Sequence, residues 1–387
     1  MKILHLALQS PYNEGWGYQE NLLTKYQVKL GHDVTLVTTC RMNTGNSQTE
    51  TCEPQDYISP DGFRVIRLKE KTGLCKKLYL VFAIFDIYEL LKSISPDFIT
   101  VHGLSSFSVL QVEKYIRKCN PKCIVIADNH LDYNIGAGLC RKNLKSAVLR
   151  ASYKILNKHI QKYYKKVFGV TPWRCEYAND IFGIKKEKLD LLPAGADDSR
   201  LDFDNRENLK AEIRKKHGIK DDEFLIVTGG KIDSKKNIHL LMQAIAELGS
   251  DKIKLLVFGT PSDDIKKRFD ELAGDRHICS IGWIDSNATY SYFMAADLMF
   301  FPGQHSVMWE QAVACGTPCV FKHYHAMHHC DIGGNCRFLT EDSVEAIKEL
   351  VLEITQNDVY EKMLSVAVSE GRRQFLYSEL AKKSIDV

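Results

Sequence analysis

The pattern that most limits the fold of this chain is a repeated alternation of short apolar runs with amphipathic stretches. Residues 2–8, 32–38, 97–102, 123–127 and 167–171 are strand-like in the first half. Residues 224–229, 253–258, 277–282, 298–301 and 318–321 are strand-like in the second. Helical spacing separates most of them, as at 18–30, 238–248 and 344–355. Alternation of this kind means parallel strands joined by crossover helices, so the expected class is α/β with doubly wound sheets. A single core stops growing near 250–300 residues, and a chain of 387 should therefore hold two such domains.

A highly charged stretch, 198–223, interrupts the apolar runs and contains a helix expected at 206–217. The boundary is placed there, giving domains 1–197 and 198–368. The tail, 369–387, reads as one more helix. Residues 40–62 read as an irregular surface excursion, 63–68 as a strand and 77–93 as one helix.

The net charge of +3 removes any global case for nucleic-acid binding. Twelve cysteines occur without a CxxC pair or compact spacing, which points to a reducing, cytoplasmic setting rather than a disulfide framework. The opening Met-Lys-Ile-Leu-His-Leu reads as a strand, its apolar run being too short for a signal peptide. No stretch reaches the ~20 apolar residues of a membrane span.

One tract departs from this even distribution. Residues 141–166 hold Arg141, Lys142, Lys145, Arg150, Lys154, Lys158, Lys162, Lys165 and Lys166 and no acid. Leu144, Val148, Leu149, Ile155, Leu156 and Ile160 are interleaved at helical spacing. Such a helix suits the surface of an anionic membrane, or it is a solvated basic face whose apolar stripe packs on its own domain.

Candidate chemistry gathers at strand ends, where open α/β sheets build their sites. The loop 9–17 ends at Gly17 before a helix, without the GxGxxG fingerprint. Gly229 and Gly230 end a strand and lead into Lys231 and Lys236, two ammonium groups before a helix N-terminus, an arrangement suited to a diphosphate. Glu310 stands where a polar loop becomes a helix, and its carboxylate could accept two hydrogen bonds from a ribose diol. His102 and His130 follow strand ends. His323, His325, His328, His329 and Cys330 crowd one segment. Their spacing invites zinc, but no CxxC or acidic second cluster supports a metal, and lining of the ligand side is the expectation.

Thr228-Gly-Gly-Lys-Ile-Asp-Ser-Lys-Lys-Asn237, Leu256-Val-Phe-Gly259, Ile281-Gly-Trp-Ile284, Ala295-Ala-Asp-Leu-Met-Phe-Phe-Pro302 and Glu310-Gln-Ala-Val-Ala-Cys-Gly-Thr-Pro318 follow one another in order. Upstream stand Val170-Thr-Pro172 and Leu192-Pro-Ala-Gly-Ala-Asp197. This ordered set resembles the retaining GT-B glycosyltransferases of family 4. The resemblance implies two Rossmann-like, doubly wound domains facing across a cleft. The C-terminal domain would take a nucleoside-diphosphate sugar and the N-terminal domain a glycan or lipid-linked acceptor. The last helix would cross back to the N-terminal domain. It implies transfer without an essential metal or cofactor.

Residue by residue, Lys236 matches the family lysine on the donor diphosphate, and Lys231 stands where arginine is usual, keeping the charge and losing the bidentate fork. Glu310 matches the ribose-binding second glutamate of E-x7-E, Ile284 the position beside the base, Gly17 the N-terminal phosphate loop and His130 the cleft histidine near the transferred sugar. The first glutamate of that motif is replaced by Pro302, in a shortened loop. His305 and Ser306 are the nearest polar substitutes, so the donor sugar is expected to differ from common glucose-type donors. A non-catalytic subunit and a sugar-nucleotide epimerase of the same fold are the alternative readings.

Overall fold

The computed structural model describes residues 1–44, 48–71, 76–356 and 358–387. Cys75 lies outside the described residues. The chain divides into two compact units, Met1–Pro193 with Tyr377–Val387, and Ala194–Leu376.

The first unit is built on an eight-stranded sheet. In spatial order its strands are Leu189–Leu191, Tyr164–Gly169, Ile124–Asn129, Phe98–His102, Lys2–Ala7, Asp33–Thr39, Arg64–Leu68 and Gln55–Ile58. Every pairing is parallel except that of the edge strand Gln55–Ile58. Alternate residues enter opposite layers. Leu4, Leu6, Ile99 and Val101 join one core, and Ile3, Val34, Leu36 and Phe98 the other. Burial on both faces is why these strands read as continuous apolar runs.

Three expectations need correction here. The excursion at 40–62 is not irregular throughout: Arg41–Asn43 pairs antiparallel with Thr49–Thr51, and Gln55–Ile58 completes the sheet edge. The helix expected at 77–93 is two helices, Lys76–Val81 and Tyr88–Ile94. They are broken at Ala83, where φ is +42° and the hydroxyls of Ser106 and Ser108 both donate to the carbonyl, each at 2.8 Å. The basic tract is not all helix: Leu144–Ile160 is helical and Tyr164–Lys166 already belongs to a strand.

The helix Leu144–Ile160 starts at Asn143, whose side chain accepts from Ser146 N at 2.9 Å. It has two apolar faces. Tyr153, Leu156 and Ile160 are buried in the first core. Leu144, Val148 and Ile155, on the opposite side by helical geometry, are 81%, 53% and 70% exposed. The final helix, Tyr377–Ile385, sends Leu380 and Ala381 into the second core layer of this unit, and Gln27 donates to Ser384 Oγ at 3.1 Å.

The second unit holds a six-stranded, all-parallel sheet in the order Ile278–Gly282, Ile253–Phe258, Phe224–Gly229, Leu298–Phe301, Cys319–Lys322 and Cys336–Leu339. Asp297, just before the fourth of these strands, ties the layer to the helix Arg206–Lys216. Its carboxylate receives Lys210 Nζ at 2.7 Å, Arg214 Nη2 at 2.6 Å and Leu225 N at 2.8 Å. Residues 369–376, expected to start the last helix, remain with this unit. Gly371–Arg373 is a 3-10 turn, and Phe375 O accepts from Ala196 N at 2.8 Å.

Candidate functional site

In the second unit the strands Phe224–Gly229 and Leu298–Phe301 are neighbours, so the loops that follow them meet. Their contact is close enough to demand glycine. A Cβ on Gly303 would stand 2.3 Å from Lys236 C, and one on Gly259 would stand 1.9 Å from Gly230 O. Gly259 and Gly230 also have φ of +118° and +106°, a region that side chains other than glycine rarely enter. Asn237, at φ +54°, begins the helix Ile238–Leu248.

Lys236 is drawn inward by this packing. Its Nζ donates to Gln304 O at 2.6 Å and to His305 O at 3.3 Å. Burial lowers its pKa to about 8. Lys231 differs: its side chain is 69% exposed and its nearest ion-pair partner is Asp233 Oδ2, at 3.5 Å. The two lysines expected to share a diphosphate therefore sit in unlike settings, one a strut within the loop and one solvated beside it. Ser306 is half-buried in the same loop, and its carbonyl accepts from Trp309 N at 3.0 Å. Ile284 packs on the edge of the core that contains Trp309 and Phe321.

Glu310 sits inside the domain rather than on its surface. It lies in the first turn of Met308–Ala314 and is 0% exposed. His305 Nε2 donates to Oε1 at 3.0 Å and Oε2 at 3.2 Å, and His329 Nε2 donates to Oε1 at 2.8 Å. Burial alone would raise the carboxyl pKa, but the two histidines hold it down to about 2. Trp309 braces the group, stacking on Phe321 at 4.4 Å and meeting His305 edge-on at 5.0 Å. Of the histidine-rich segment, His329 alone reaches Glu310 among the described contacts. His323 and His325 are exposed.

In the first unit, the strand ends bring a second polar chain together. His5 Nε2 meets Gln27 Oε1 at 2.7 Å, and His5 Nδ1 meets His102 Nε2 at 2.9 Å. His102 Nδ1 meets Asp128 Oδ2 at 2.6 Å, and Asp128 Oδ1 lies 3.2 Å from His130 Nε2. Gly103 N also donates to Asp128 Oδ1, at 3.1 Å. The donors can be assigned by elimination. The Gln27 oxygen needs a proton on His5 Nε2, so His5 Nδ1 accepts. Burial, then His102, lowers the His5 pKa to about 3, so this ring is neutral. His102 must then donate from both nitrogens, as an imidazolium. Burial opposes that charge, but Asp128 outweighs it and raises the His102 pKa. His130, whose side chain is 40% exposed, hangs from the outer oxygen of this buried pair. Gly17 lies on the loop before the helix Gln19–Lys29.

A hollow of about 630 Å³ lies along the edge strand Gln55–Ile58 with Asn13, Glu14 and Arg67. It contains none of these residues. The recess that does contain Lys236, Gln304 and Ser306 is small, and Thr228, Gly229 and Phe301 line it.

Residues 210–373 match the family model described as glycosyl transferases group 1. The match covers most of the second unit, Ala194–Leu376. The match spans Gly230, Lys231, Lys236, Ile284, His305, Ser306 and Glu310. An alpha-monoglucosyldiacylglycerol synthase of Streptococcus pneumoniae is 28% identical over 156 residues, 38% of this chain and 35% of that protein. The chain thus spans about a third of that relative's length. A glycosyltransferase from Rickettsia africae ESF-5 superposes with a TM-score of 0.70 at 14% identity, covering 99% of this chain and 96% of that one. Anabaena HepE in complex with UDP-glucose superposes at 0.65 with 14% identity, over 99% and 98% of the two chains. These likenesses are of fold, and the fold is GT-B, with two doubly wound units.

His329, His5 and Asp128 are the site residues that the sequence alone did not single out. His329 carried only a weak signal, as one of five crowded ligand-type residues. Asp128 preceded a named histidine. Nothing marked His5 inside its strand.

Proposed function

We propose that the chain is a retaining, hexosyltransferase-type glycosyltransferase. It would move a sugar from a nucleoside-diphosphate donor to a glycan or lipid-linked acceptor in surface glycoconjugate synthesis. The observation that carries this reading is the glycine-walled loop contact that draws Lys236 and Glu310 onto one edge of the group 1 domain. A neighbour of the same fold, HepE, was solved with UDP-glucose.

In this reading the Gly230 edge admits the diphosphate backbone-close. The Lys236 ammonium stabilises charge developing on the leaving phosphate, with Lys231 contributing from solvent. Glu310 receives the ribose diol after exchange with a histidine, Ile284 flanks the base, and His305 and Ser306 border the sugar. Gly17 and His130 belong to the acceptor-side unit, with Asp128 fixing the His130 ring. Attack occurs on the face the phosphate leaves, and no step calls on a metal.

The exposed stripe of Leu144, Val148 and Ile155, flanked by Lys145, Lys154 and Lys158, supports peripheral docking of a cytoplasmic enzyme on the inner face of an anionic membrane. No helix among the described residues is long and apolar enough to cross a membrane.

Incubation with a panel of nucleotide sugars, scored for nucleotide release with and without lipid-linked acceptor, tests the activity. The anomeric configuration of the product, read by NMR, tests retention. Lys236→Ala should abolish acceptor-dependent release; near-normal release would refute the assignment. Leu144→Glu/Ile155→Glu should abolish flotation with anionic liposomes, and unchanged flotation would return the helix to an ordinary basic surface.

A further inference from the structure

Among the described residues, two clusters combine two histidines with one carboxylate close enough to share an ion: His102, Asp128 and His130 in the first unit, and His305, Glu310 and His329 in the second. Their protonation separates them. His102 has both ring nitrogens committed, to His5 and to Asp128, and as an imidazolium it has no lone pair to give. His329 in the second cluster is not so bound. His329 Nε2 meets Glu310, while its buried Nδ1 has no hydrogen-bond partner among the described residues. Glu310 therefore holds the ring proton on Nε2, and an ion that takes the carboxylate frees that proton to leave Nε2. Moving it to Nδ1 turns the Nε2 lone pair toward the carboxylate.

We propose that His305 Nε2, Glu310 Oε1 and His329 Nε2 form a site for a divalent transition-metal ion of the zinc and cobalt class. We further propose that the bound ion holds Glu310 away from the donor ribose. The three donor atoms lie within 4.8 Å of one another. Adjacent ligands of a tetrahedral ion at ~2.0–2.2 Å stand about 3.3 Å apart. The observed 3.0 Å and 2.8 Å separations from Glu310 Oε1 require outward shifts of only a few tenths of an ångström. Two imidazoles with one carboxylate favour zinc-like ions over magnesium or calcium. Cys330 Sγ, 3.7 Å from His329 Nε2, is the nearest further donor, and solvent supplies the remaining position otherwise. The site does not serve the transfer chemistry: it competes with it. That second clause rests on the ribose role proposed for Glu310.

The test uses the full chain after chelator treatment. Cobalt(II) is titrated and followed by visible absorption, and zinc is titrated by calorimetry. One equivalent should bind at micromolar or lower Kd with the intense visible bands of a tetrahedral cobalt site. His305→Gln and His329→Gln should each weaken binding at least tenfold, whereas His325→Gln, on the same segment and exposed, should not. Absence of stoichiometric binding by wild type would overturn the site without recourse to any variant. Equal binding by the His305→Gln and His329→Gln proteins, with folded circular dichroism spectra, would also overturn it. Saturating zinc should weaken nucleoside-diphosphate binding at least tenfold, reversibly on adding chelator. If zinc binds through both histidines and nucleotide affinity is unchanged, the metal site stands and the ribose role of Glu310 falls.

Discussion

Glu310→Gln isolates the electrostatics of the buried cluster, because it keeps the side-chain shape and removes the charge. The carboxyl pKa is about 2 in the folded chain against 4.5 for an ordinary glutamate. Each unit is about 1.4 kcal/mol, so ionised Glu310 contributes roughly 3 kcal/mol of folding stability at pH 7. The sign follows from a depressed pKa: the contribution is complete above the unfolded value and is lost as pH falls toward the folded one. A neutral glutamine never has it. The variant should therefore be less stable than wild type by roughly 3 kcal/mol at pH 7, and the gap should shrink to about 2 kcal/mol at pH 3.5. Urea unfolding followed by tryptophan fluorescence reads this, since Trp309 is fully buried beside the carboxylate. A gap under 1 kcal/mol at pH 7, or one that does not change with pH, would refute the reasoning.

Three further outcomes follow from the same geometry. Nucleoside-diphosphate binding by wild type should weaken as pH rises through about 8, where Lys236 loses its proton; Lys236→Ala should bind roughly 10–100-fold more weakly at pH 7 and lose that pH dependence, both measured by calorimetry. Gly259→Ala places a Cβ against Gly230 O at a positive φ and should destabilise the second unit by on the order of 3 kcal/mol, read as a lowered urea midpoint. Asp297→Ala leaves Arg214, which is almost wholly buried, without its carboxylate and should cost about 3–5 kcal/mol, whereas Lys210→Ala, removing the more exposed partner, should cost under about 1 kcal/mol.

The sheets were legible because their strands are buried on both faces, which writes each as an unbroken apolar run. The glycine pair before Lys231 and the acid at Glu310 were legible because each stands where an apolar strand run gives way to a loop and then a helix. The burial of Glu310 was not. Its partner His329 lies 19 residues away, and only the path through the strand Cys319–Lys322 and the turn beyond it turns that one histidine inward. His5 and His102 are 97 residues apart and become neighbours only through the register of two parallel strands. The two-faced helix Leu144–Ile160 was half-legible: helical spacing showed that apolar residues recur, but which of them the domain covers depends on how the helix docks. The break at Ala83 had no sequence signal, because two serines more than twenty residues downstream hold its carbonyl.

In the proposed function Lys236 is at once the cation offered to a diphosphate and the clasp that fastens the backbone at Gln304 and His305. A single ammonium has three protons to give, and the two carbonyls take two of them. The third is left for a phosphate, so the segment bearing His305 need not open for a donor to be held. On that reading one side chain keeps the wall of its pocket in place while it grips the ligand.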